Sequence, residues 1–183
     1  MTESYPTTAK LHPPFSRTND TFEERTGDPD TFSCAVGRIV IWFADLEHEI
    51  SMAIHKLLGH DARTTAIITS EMSFKNRVHA MASLIREQVS EKQFNTGHES
   101  TEDVLNVIVA RCFQAEELRN QVMHSFWDGP FLRDARATRR KITSKAARGL
   151  RIAEENVDSD HLLDIADFIC DVAMLVEEFM LDP

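Results

Sequence analysis

Residues 104–127 read VLNVIVARCFQAEELRNQVMHSFW, and their periodicity decides the fold class. Wound at about 100° per residue, Val104, Leu105, Ile108, Cys112, Ala115, Leu118, Val122, Met123 and Phe126 form one broad apolar stripe, as on a helix with a buried face. Arg119 falls near the middle of that stripe, where a guanidinium is costly to bury unless a partner meets it. Asn120 and His124 stand one turn apart on another face, alongside Val109, Phe113 and Trp127. The spacing predicts a long helix opening at Ser100 or Thr101 and stopped by Asp128-Gly129-Pro130. Gly129 would close it and Pro130 could not continue it.

The same periodicity extends outward in both directions. From Asp28-Pro29 to Gly59, apolar positions such as Val36, Ile39, Phe43, Leu46, Ile50, Ile54 and Leu57 predict a helix of roughly seven turns. Asp61 is placed to cap a short helix through Ala66, Ile67 and Ile68, and Ser73 to cap a third carrying Phe74, Val78, Met81, Leu84 and Ile85. Asn95-Thr96-Gly97-His98 breaks the pattern. Asp158 or Ser159 caps a last helix that is hydrophobic on most sides. Before it, Arg139–Thr143 and Gly149–Ala153 have the composition of two short hairpin strands. Six glycines and six prolines are too few for an all-β chain with many tight turns. The expectation is an all-α bundle of about five helices, with one basic insertion, irregular or a β-hairpin, at about 130–157. Residues 1–27, polar and proline-bearing, read as a flexible arm ahead of one helical domain at 28–183.

The net charge of −10 argues against a general nucleic-acid coat protein, but the charge is uneven. Between Arg133 and Arg151 stand eight basic residues and one acid, a net +7 that leaves −17 elsewhere. Such a stripe on an acidic body can bind a polyanion, and it equally suits a solvated loop that balances neighbouring acids. Arg133, Arg136, Arg139, Arg140, Lys141 and Lys145 are the candidate contacts to an RNA backbone. The three cysteines, Cys34, Cys112 and Cys170, lie far apart in apolar segments, which suits core thiols and a reducing cytoplasm. Met1–Pro6 has no basic region leading into an apolar run, so no secretory signal is expected, and no segment suits a membrane span. No histidine pair shows metal-ligand spacing, so neither a metal nor a cofactor is expected.

Arg119, Asn120 and His124 are the candidate catalytic residues. Histidine titrates near neutrality and can take a proton from a ribose 2′-hydroxyl or give one to a leaving 5′-oxygen. Arginine can hold phosphate oxygens and stabilise charge building on phosphorus. An asparagine amide can orient either the imidazole or the phosphate. Arg119 and His124 point about 140° apart on an ideal helix, so one way to combine them is a two-fold dimer whose helices share a cleft. The face bearing Val109, Phe113, Asn120, His124 and Trp127 is the candidate contact. For Arg119 a purely structural role is also open, an ion pair with Asp45, Glu47 or Glu49.

Arg119-Asn120-Gln121-Val122-Met123-His124, an arginine, four residues and a histidine, resembles the signature of the HEPN superfamily. In that family a polar residue commonly follows the arginine, the position held here by Asn120. The resemblance covers the helical body and implies a small dimeric bundle with the paired motifs at its interface. It further implies a metal-independent endoribonuclease, often a toxin with an antitoxin or an effector of phage defence. By that resemblance Arg119 would polarise phosphate, Asn120 would position it and His124 would be the acid–base group. A toxin branch carries a tyrosine two residues after the histidine, where nucleotidyl transfer silences it. This chain has Phe126 there, and its one tyrosine is Tyr5. The competing expectation is a non-catalytic HEPN-like module that regulates or scaffolds a protein partner.

Overall fold

The computed structural model describes residues 29–59, 61–92, 101–128, 136–145 and 149–181. The expected arm at 1–27, the Asp28 cap, the break at 95–98, the Gly129-Pro130 stop and Arg133 lie outside them. The described residues are mostly helical: α1 (Pro29–Leu58), α2 (Ala62–Ser70), α3 (Phe74–Lys92), α4 (Thr101–Met123) and α5 (Ser159–Leu181). Among them, β1 (Phe126–Asp128), β2 (Arg136–Lys145) and β3 (Gly149–Asp158) form a three-stranded antiparallel sheet in that order. None of the described helices is long and apolar enough to cross a membrane.

Most helix ends follow from local chemistry. Gly59 ends α1 at φ +62°, donating its amide to the His55 carbonyl at 3.2 Å. Only glycine takes that left-handed conformation without penalty. Asp61 caps α2, accepting from the Arg63 amide at 2.8 Å and from the Thr64 hydroxyl. These two donors, the hydroxyl first, hold the Asp61 carboxyl below its usual range. The Ser73 hydroxyl accepts the Asn76 amide at 3.3 Å at the head of α3. Asp158 takes the His161 amide at 2.8 Å at the head of α5.

The expected short helix through Ala66, Ile67 and Ile68 is present as α2; its buried residues are Thr65 and Thr69, while Ile67 and Ile68 are 63 % and 47 % exposed. Both threonines turn their hydroxyls back onto the helix, Thr69 to the Thr65 carbonyl at 3.0 Å, which lets them enter an apolar setting with the polar atom satisfied. The expectation for α4 is corrected. The helix ends at Met123, and Phe126–Asp128 are a strand rather than a last helical turn, so Met123 and Phe126 leave the apolar stripe and stand exposed. The aromatic pair Phe126-Trp127 favours extended backbone, and β2 offers it a partner. The expected hairpin is present, with arms of ten residues each in a register running from Arg136↔Asp158 to Lys145↔Gly149.

The chain divides into two compact units. Of the described residues, one unit holds those up to Ile39 and those between Leu118 and Phe168; the other holds those between Val40 and Glu117 and those from Ile169 on. The first unit buries Phe32, Ala35, Ile39, Leu118, Val122, Leu162, Ile165 and, from the sheet, Ala137 and Val157. The second buries Leu46, Ile50, Val78, Met81, Leu105, Ile108, Cys112, Ile169 and Val172. Within it the Phe43 and Phe74 rings pack with centroids 4.8 Å apart and planes tilted by 40°, and Arg77 reaches Glu47 at 3.0 Å.

The expectation of three core thiols is corrected: Cys112 is buried, Cys170 is partly buried and Cys34 is exposed. Burial pushes the Cys112 thiol up to about 12, whereas Cys34 is exposed. Because the thiolate is the reactive form, an alkylating reagent at about pH 8 should modify Cys34 in the native protein and leave Cys112 untouched until denaturant is added. Mass-mapped labelling with and without urea checks this.

Candidate functional site

The three motif residues collect at the end of α4, within the first unit. Arg119 and Asn120 are both half-buried, and the Arg119 Nη1 donates to the Asn120 Oδ1 at 2.9 Å. That bond uses the oxygen of the amide, so what Asn120 presents beyond it is the NH2, a donor suited to a phosphate oxygen or an imidazole nitrogen. His124 is the first residue past the helix. Its amide donates to the Asn120 carbonyl at 3.0 Å and its side chain is exposed. Arginine and amide are thus coupled directly, and the histidine stands one turn further on in a turn rather than on the helix proper.

That turn is held by side chains that follow it. The Ser125 hydroxyl donates to the Gln121 carbonyl at 2.6 Å, and the Trp127 Nε1 donates to the Val122 carbonyl at 2.9 Å. The Trp127 ring meets the edge of Phe32, with centroids 5.2 Å apart and planes at 73°. From the sheet, Arg139 brings its Nη1 to the Gln121 Oε1 at 3.3 Å and to the Gln121 carbonyl at 3.5 Å.

The basic residues are less available than their number implies. Arg139 pairs with Glu155 at 2.7 Å and Arg140 with Glu154 at 2.8 Å. The acidic arm of the hairpin thus neutralises part of the basic one. Lys141 is exposed, and Arg136 and Lys145 are the first and last residues of β2. The face expected to contact a second copy is also partly used: Trp127 packs on Phe32, and the Phe113 ring lies 5.2 Å from that of His79. Glu47, one of the acids considered for Arg119, is engaged by Arg77.

Gln121 and Glu155 are the residues that sequence reasoning missed. A signal for Glu155 is present, because Arg139-Arg140 and Glu154-Glu155 lie symmetrically about residues 146–148, so hairpin pairing sets the two pairs opposite each other. Gln121 has no comparable signal, since its partner comes from a strand whose register the sequence does not relate to the helix.

Among the described residues no three His, Cys, Asp or Glu side chains gather as a metal site requires. In the second unit an open groove of about 280 Å³ is lined by Asp103, Val104, Val107, Ile108, Arg111 and Leu175, with no histidine, serine, threonine or cysteine among them. Comparison with protein-family models, curated proteins and solved structures finds no match to this chain.

Trp127→Phe keeps the aromatic packing and removes the donor to the Val122 carbonyl. The cost should be about 1 kcal/mol, the worth of one such bond, read as a lowered urea midpoint with unchanged slope.

Proposed function

We propose that this chain is a metal-independent endoribonuclease of HEPN type that acts as a homodimer on RNA. The observation that carries the reading is the coupling of Arg119 to Asn120, one turn before an exposed His124. One motif supplies a phosphate clamp and the other an acid–base group at a cleft made by two copies. His124 takes the proton of a ribose 2′-hydroxyl while that oxygen attacks the adjacent phosphorus; the bond to the 5′-oxygen breaks, and the His124 imidazolium gives its proton to that leaving oxygen. The products are a 2′,3′-cyclic phosphate and a free 5′-hydroxyl. Arg119 stabilises the charge that gathers on the phosphoryl oxygens. Met123 and Phe126, 40 % and 60 % exposed on either side of His124, are apolar surface that a second copy would cover. The exposed Lys141 would hold the substrate backbone.

A second reading is favoured by the ion pairs of the hairpin. With Arg139 and Arg140 already met by glutamates, the acidic body suits a basic protein partner, and the chain would then be a non-catalytic module that regulates or scaffolds that partner.

Cleavage of a mixed RNA pool in excess EDTA decides between them. On the first reading the wild type yields cyclic phosphate ends, and His124→Ala, folded and of equal oligomeric state, loses about 10²–10⁴-fold in rate. If the wild-type dimer cuts nothing across a range of salt, the nuclease reading is refuted and the partner reading takes its place; if the variant cuts equally well, the acid–base role of His124 is refuted.

A further inference from the structure

The turn that carries His124 is not held by its own helix alone. Three successive carbonyls end α4: that of Asn120 receives the His124 amide, that of Gln121 the Ser125 hydroxyl, and that of Val122 the Trp127 indole. Arg139 joins this set from the neighbouring strand. It faces Trp127 directly across the β1–β2 ladder, so the two side chains share one face of the sheet. Its side chain is only 12 % exposed, and its guanidinium is divided between two elements. Nη2 holds Glu155 of β3 at 2.7 Å, while Nη1 reaches both the backbone oxygen and the side-chain oxygen of Gln121. A guanidinium at a helix C-terminus is also favoured by the helix dipole.

Among Arg139, Arg140 and Lys141, the basic side chains described on β2, Arg139 is therefore the one badly placed to meet a phosphate and well placed to set geometry. We propose that Arg139 is a positioning residue for His124, clamping the hairpin to the last turn of α4 so that the imidazole is presented in one orientation. The catalytic consequence rests on the nuclease reading above; the clamp itself does not. A planar fork is needed, because a lysine ammonium concentrates its donors at one point and cannot span Gln121 and Glu155 together. Lys141, on the same strand and exposed, serves as the internal contrast: its loss should affect how RNA binds and not how His124 is held.

The test uses Arg139→Met, Arg139→Lys and Lys141→Ala in the full chain, each read by amide hydrogen exchange and by steady-state cleavage of a single-stranded RNA. The expected result for both Arg139 variants is faster exchange at residues 124–127, with exchange at Ile108 and Ile165 unchanged. Their kcat should fall by at least about tenfold, within the range a small misplacement of a reacting group can cost, while KM stays within about twofold. Lys141→Ala should raise KM, lower its salt dependence and leave exchange at 124–127 as in the wild type. Wild-type exchange at 124–127 in both Arg139 variants, or a change confined to KM, overturns the clamp. If Arg139→Met proves too unstable to purify, Arg139→Lys decides the same question, since it retains the charge and loses only the fork. Should the wild type cut no RNA, the nuclease reading fails on its own, and the exchange at 124–127 still decides whether Arg139 holds the turn.

Discussion

The carbonyl groups at the end of a helix must each find a donor, and here that requirement organises everything around α4. The helix has no glycine or proline among the described residues that close it. It stops because Ser125 and Trp127 turn back to satisfy Gln121 and Val122, which frees Phe126–Asp128 to pair as a strand. The strand in turn brings β2 alongside, and β2 delivers Arg139 to the same helix end. The sheet is thus an extension of a helix cap. The motif residues owe their surroundings to it: Asn120 and His124 bracket the capped turn, and Arg119 is tied to Asn120.

Much of this architecture is legible in the sequence. Periodicity locates all five described helices, Asp61, Ser73 and Gly59 mark their ends by chemistry that acts within a few residues, and the hairpin arms stand where their composition puts them. The departures have a common cause. Helical spacing puts Phe126 on the apolar stripe, but spacing carries no information about a donor arriving from Trp127, or about a strand further along the chain that can pair with it. Nor does the spacing around Ala66, Ile67 and Ile68 single out Thr65 and Thr69, which enter the apolar setting because their hydroxyls bond back to carbonyls one turn earlier. At the site, the order Arg119, Asn120, His124 is visible as a spacing. The exposure of His124 and the Arg119–Asn120 bond depend on where the helix stops, and spacing does not reveal that.

The hairpin also changes what a count of charges means. Eight basic residues in nineteen positions look like a surface built for a polyanion, and yet the two arginines with the clearest geometry are already neutralised at 2.7 and 2.8 Å by the opposite strand. Exposed pairs of this kind contribute little to stability, typically well under about 1 kcal/mol, so Arg140 can exchange Glu154 for another anion at small cost. Arg139 is different, since it is largely buried and has a second attachment on α4. Adjacent residues of one type, on opposite faces of one strand, therefore do unlike things.

Strand register has a consequence for how such a chain can diverge. The pairing of Arg139 with Glu155 and of Arg140 with Glu154 depends on arms of equal length measured from Lys145 and Gly149. Residues added or lost between those two positions leave both pairs in place. A single insertion between these pairs and the tip, in either arm, would put the two strands out of phase, so that Arg139 and Glu155 no longer stand opposite each other on one face. Descendants of this sequence are accordingly free to lengthen the hairpin at its tip, while its stem can change length only in matched steps on both strands.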